Sequence, residues 1–165
     1  TPPHVHRPMK LSSLNDDLAE AGFTPSTRVL SYEVREASSE EAEKLSIPQG
    51  EALLSVRRLR YADDHPLALL TNLIPLDIAP TWQELGEHGL YRCLAMRNIE
   101  VTSARQTIGA RGATLEEADV LGEDENAPLL TMERTGYTTE GRIVEVGQHV
   151  YRPSLYSFQF SLFTS

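Results

Sequence analysis

Cysteine is almost absent from this chain of 165 residues: Cys93 stands alone, so no intrachain disulfide framework can form and a reducing, cytoplasmic setting is expected. No apolar run approaches the roughly 18 residues that a membrane-spanning helix needs. The opening Thr1-Pro2-Pro3-His4 also lacks the charged-then-apolar pattern of an export signal, so no membrane partner is expected. Basic charge is short as well. Lys and Arg number 15 against 24 Asp and Glu, a formal charge of -9, so the summed field repels polyanions and the segment alone is expected to bind DNA poorly. A local basic cluster can still hold a small anion, because distant charges are screened. The sequence contains no G-x-S-x-G, no phosphate-binding glycine loop and no H-E-x-x-H. His4-x-His6 lies in a proline-rich start with no third ligand nearby, and His65, His88 and His149 stand alone, so neither a metal nor another cofactor is expected.

What is present is ordinary for a globular domain: 40% hydrophobic and 24% charged residues in a chain long enough for one core. Residues 1–11 read as an extended lead-in, and 12–165 as the domain proper. Ser13 with Asp16 resembles a capping box opening a helix over 13–21 that Gly22 stops. Similar boxes at Ser38/Glu41 and Thr114/Glu117 predict helices ending at Leu45 and Leu121. The stretch 81–98 is helical in pattern but interrupted at Gly86 and Gly89. Strands are expected at 28–35, 52–62, 67–74, 100–111, 129–138 and 142–151. Asp63-Asp64-His65-Pro66 and Thr139-Glu140-Gly141 make tight turns between neighbours, which therefore run antiparallel. This order implies an α+β domain on a mainly antiparallel sheet with flanking helices.

Alternation places Arg58 and Arg60 on one strand face, with Leu54 and Val56 behind them. Two guanidiniums converging at the end of an apolar strip suit a phosphate or carboxylate; the competing expectation is salt bridges to nearby acids. Ser13 and Asn15 stand at a helix start, where free N–H groups favour an anion, although simple capping explains Ser13 equally. Glu145, on the face opposite Val144 and Val146, can accept hydrogen bonds from hydroxyl or amine groups, or else face water. Tyr91 and Tyr156 offer an apolar ring plus a hydroxyl, as buried structural tyrosines also do.

Taken in order, several segments resemble the UTRA effector-binding domain of HutC-type regulators in the GntR family. Arg58-Leu59-Arg60-Tyr61-Ala62-Asp63-Asp64-His65-Pro66-Leu67-Ala68 is similar to its R-L-R-x-A-D-G-x-P-x-A hairpin, with Leu73-Ile74-Pro75 as the strand exit. Ser12 to Leu18 and Ala21-Gly22-Phe23-Thr24-Pro25 resemble the opening helix and G-x-x-P turn. Leu90-Tyr91, Pro128-Leu129-Leu130 with Glu133-Arg134, and Val144-Glu145 through Arg152 to Tyr156-Ser157-Phe158 match later anchors.

The resemblance implies a chorismate-lyase-like fold, homodimerisation through this domain, and control of an N-terminal winged helix-turn-helix, absent from this chain, that contacts operator DNA. It implies a non-enzymatic sensor of a small anionic effector, such as a sugar phosphate or organic acid. The acidic group would be held by Ser13, Asn15, Arg58 and Arg60, and the rest by Tyr91, Glu145 and Tyr156. Many members that bind phosphorylated amino sugars carry Glu where this chain has Leu70, and Ser where it has Gly89. These departures point to a smaller or more apolar ligand, or to a carboxylate. An enzyme of the same fold, or a dimerisation module without ligand, are the alternatives.

Overall fold

In the computed structural model, residues 4–8, 11 and 14–164 are described, without the side chains of Arg7, Pro8 and Asn15. Strands β1 (Val5–Pro8), β2 (Pro25–Glu36), β3 (Ala52–Ala62), β4 (His65–Pro75), β5 (Ser103–Gly112), β6 (Pro128–Tyr137), β7 (Ile143–Tyr151) and β8 (Tyr156–Gln159) form two sheets. The larger has six strands in the order β2-β3-β4-β7-β6-β5, all antiparallel. The α+β expectation therefore holds. The smaller sheet pairs β1 with β8 in parallel, so part of the expected lead-in joins the fold, with Val5 buried against Leu14, Leu18 and Tyr156. A parallel pair of short segments with no connecting turn leaves no local signal, and both strands escape sequence reading.

Helices α1 (Leu14–Glu20), α2 (Ser39–Leu45), α3 (Trp82–Glu87), α4 (Leu90–Ala95) and α5 (Leu115–Leu121) are short. The break within 81–98 falls at His88-Gly89, whereas Gly86 stays inside α3. Capping boxes open α2, α3 and α5, and in each the N3 glutamate also takes a two-pronged arginine. Arg35 grips Glu41, Arg97 grips Glu84 and Arg111 grips Glu117, each through two bonds of 2.6–3.0 Å. A helix of two turns cannot sustain itself in water, so this anchoring to neighbouring chain substitutes for length.

The arginines hold all three carboxyls down at about 2. A depressed folded-state pKa gives stability that is present above the ordinary carboxylate range and is lost as pH falls toward 2. Glu117→Gln is expected to cost about 1 kcal/mol at pH 7, since Arg111 is half exposed and the pair is partly screened. Urea denaturation of both proteins should show that gap closing as pH falls from 5 toward 2, on the order of the carboxylate range; a constant gap would contradict it.

Four apolar clusters cover the sheet. One face carries α1 with β1 and β8 at one end, around Leu18, Leu67, Tyr151 and Tyr156. At its other end α3 and α4 pack around Leu54, Ile74, Leu85 and Leu94. On the reverse face α5 covers Leu59, Leu69, Leu129 and Val150, and α2 covers Leu53 and Val146. The functional side chains lie on the first face, in the gap between its two clusters.

Candidate functional site

Strand register builds this site. Arg58 lies opposite Leu70, which lies opposite His149, which lies opposite Met132. One step along, Val56, Asn72, Gly147 and Arg134 form the next row. Residues in register on a pleated sheet share a face, so β3, β4, β7 and β6 deliver their side chains to one volume. The result is a cavity of ≈ 60 Å³ lined by Arg58, Arg60, Asn72, Tyr91, Arg134 and Glu145 among its polar groups, with Leu14, Leu70, Leu90 and Gly89.

The arginines do not face bulk water: Arg58 is 3% and Arg60 2% exposed. Arg58 Nη2 donates to Asn72 Oδ1 at 3.1 Å, Asn72 Nδ2 donates to Glu145 Oε1 at 2.8 Å, and Tyr91 Oη donates to Glu145 Oε2 at 2.8 Å. Arg134 stands 5.9 Å over the Tyr91 ring and is braced by two bonds to Gln106. Arg58 Nε and Nη1 are buried and meet no acceptor among the described residues. The salt-bridge expectation therefore fails for Arg58, which forms no ion pair there.

Burial pulls Arg58 down to about 10 and Arg60 to about 9, Arg60 further because Arg58 repels it. Both remain cationic near neutral pH. Burial likewise raises the Glu145 carboxyl, against the opposing pull of Tyr91, Arg134, Asn72 and Arg58, and raises the Tyr91 hydroxyl.

Two glycines make room for the polar network. A Cβ on Gly136 would stand 2.9 Å from Glu145 Oε2 and 3.0 Å from Tyr91 Oη. One on Gly147 would stand 2.6 Å from His149 Nε2 and 3.2 Å from Asn72 Nδ2.

Four of the expected site residues meet here: Arg58, Arg60, Tyr91 and Glu145. Tyr156 does not line the cavity; it stacks behind Tyr151, which does, with ring centroids 4.2 Å apart. Ser13 and the side chain of Asn15 lie outside the described residues. Val146 points to the reverse face as expected, but Val144 packs with Leu54 on the site side, because the β6–β7 register shifts next to Gly136. Both departures, Leu70 and Gly89, face the cavity. Asn72, Arg134, His149 and Tyr151 went unread, although counting by twos from Glu145 reaches both His149 and Tyr151. His4 and His6 hydrogen-bond Ser157, and His4 also the Ser154 carbonyl, which ties β1 to β8. No metal-binding group of three occurs among the described residues. A larger groove of ≈ 380 Å³ on the reverse face, lined by Arg57, Thr71, Thr131, Glu133 and Gln148, is open and gathers no buried cation pair.

Fold and site together define an α+β domain with a buried cationic cavity between two apolar clusters. The chain belongs to the UTRA domain family, whose model matches residues 20–157. It is 31% identical over 150 residues to the HTH-type transcriptional repressor NagR of Bacillus subtilis, covering 90% of this chain and 62% of that protein. It therefore spans about three-fifths of that relative's length. Among solved structures, a putative transcriptional regulator from Streptomyces coelicolor is 45% identical with a TM-score of 0.78, covering 87% of this chain and 96% of that one. The effector domain of PhnF from Mycobacterium smegmatis shares the fold at a TM-score of 0.90 and 22% identity, covering 97% and 100%. No helix among the described residues is long and apolar enough to cross a membrane.

Proposed function

We propose that this chain is the ligand-sensing part of a transcription regulator, and that its ligand is a small metabolite with an anionic group, a sugar phosphate or an organic acid. The observation that carries the reading is Arg58, buried beside a second buried arginine with two N–H-bearing nitrogens that meet no acceptor among the described residues. Buried N–H groups of Arg58 without an acceptor cost stability, and an anion entering the cavity would supply one. A water needs about 10–15 Å³ of such space, so ≈ 60 Å³ admits an anionic head group. The rest of the ligand would displace side chains around Leu70 and Gly89, where lost polar groups favour an apolar or compact body.

Coupling to the rest of a regulator has a physical route. Tyr151 lines the cavity and stacks on Tyr156, and Tyr156 pairs with Val5 at the start of the chain. A ligand that shifts Tyr151 therefore acts on β1, through which a preceding DNA-binding segment would join residues 12–165. Sensing requires different affinity for two states of that connection. In this reading the protein is cytoplasmic, pairs as a homodimer, needs no cofactor, catalyses nothing, and meets operator DNA only through that preceding segment. The relatives' names as transcriptional repressors support it.

Thermal-shift screening of sugar phosphates, organic acids, amino acids and sulfate tests the reading. An anion is expected to raise the melting temperature by several degrees, since about 1 kcal/mol moves a domain of this size by about 2–4 °C. Stabilisation by neutral compounds alone would overturn it.

A further inference from the structure

The cavity holds one imidazole, a side chain of the type that ordinarily changes charge in the range where cells work, and the anion reading leaves it unused. His149 is buried, lines the cavity, and lies one strand across from Leu70, itself directly across from Arg58. Its ring lies along β7 toward Asn72, in space that exists only because residue 147 has no side chain. The imidazole is thus placed at the anion cavity by sequence at two positions, 147 and 149.

Among the described residues, the cationic groups lining the cavity outnumber the anionic ones. Arg58 and Arg60 face the cavity from β3 and Arg134 from β6, while Glu145 on β7 is the buried carboxylate among them. Tyr91 on α4 and Tyr151 on β7 add neutral hydroxyls, and from α1 the Asp16 charge reaches Arg60. Facing the cavity from β4 are only Leu70 and Asn72, neither of them charged. An imidazolium added to this set meets like charges; an incoming dianion reverses that balance.

We propose that His149 is a specificity-determining residue of the anion site, which takes up a proton as a doubly charged anion binds and so favours dianions over monocarboxylates. This rests on the anion-site reading above. An imidazole changes charge between about pH 5 and 8. Each unit by which a bound anion raises its pKa is about a tenfold gain in affinity on the acid side.

Isothermal titration with sulfate, which stays dianionic across this range, tests the proposal in two buffers of different ionisation enthalpy. Wild type should bind sulfate about tenfold more tightly at pH 6 than at pH 8, with net uptake of about half a proton at intermediate pH. His149→Gln should bind with nearly pH-independent affinity, close to that of wild type at pH 8, and without uptake. The proton count on wild type alone stands whether or not the variant folds. Sulfate binding without uptake, or uptake that persists in His149→Gln, overturns the role of His149 and leaves the anion site standing. No sulfate binding by wild type at either pH overturns both.

Discussion

Arg58→Met is expected to weaken binding of an anionic ligand by roughly tenfold to hundredfold while leaving the ligand-free domain as stable as wild type, or more so by about 1 kcal/mol. The two halves have different causes. A hydrogen bond to a charged group is worth about 1.5–3 kcal/mol, and Arg58 offers two buried nitrogens with no other acceptor among the described residues. Without ligand, those nitrogens are a liability, and an apolar side chain of similar length replaces a poorly matched buried cation at little or no cost. Arg58→Ala should lose binding equally but also lose stability, because the side chain is buried and its removal leaves a void beside Leu70 and Asn72. Denaturant titration alongside calorimetric binding separates the effects. Undiminished binding by Arg58→Met would remove the arginine from the site.

Glu145→Ala should be the most damaging single change in the cavity, lowering stability by about 3 kcal/mol or more. It strips the acceptor from both Asn72 Nδ2 and Tyr91 Oη, and it deletes the buried negative charge that offsets Arg58. Each unsatisfied buried donor costs about 1–3 kcal/mol, and an uncompensated buried charge adds to this. Glu145→Gln keeps the shape and can accept from Asn72 while donating to the Tyr91 oxygen, so about 1 kcal/mol is expected.

The pH dependence gives a second check. Burial raises the folded-state pKa of Glu145, so its contribution is full below the ordinary carboxylate range and falls as pH rises through the raised value. Wild type should therefore lose stability relative to Glu145→Gln as pH rises through that window. Equal urea midpoints for the Ala and Gln variants would show that the hydrogen bonds do not hold the network together.

Much of this architecture could be read locally. The β3–β4 hairpin is visible because apolar runs flank Asp63-Asp64, and the α2 and α5 starts because Ser38/Glu41 and Thr114/Glu117 satisfy helix-end N–H groups within four residues. The same signal stands at Thr81/Glu84 and opens α3, although the sequence reading passed over it. Period-two alternation was enough to put Arg58 and Arg60 on one face. What the chain itself determines, then, is each element and which side chains share its face, because caps, turns and alternation act over a few bonds.

Partnership is settled only by the tertiary fold. No local rule says that Glu145 meets Tyr91 and Asn72 rather than water, since that depends on the β4–β7 register and on the side-chain-free space at Gly136. Nor does one say that Val5 pairs with Tyr156 across most of the chain. Whether Arg58 is an exposed strand residue in a salt bridge or a buried cation with none among the described residues is likewise open in the sequence. It is decided by α1 and α4 closing over that face of the sheet, because burial, and with it the cost of an unmatched charge, arises only when distant segments pack together.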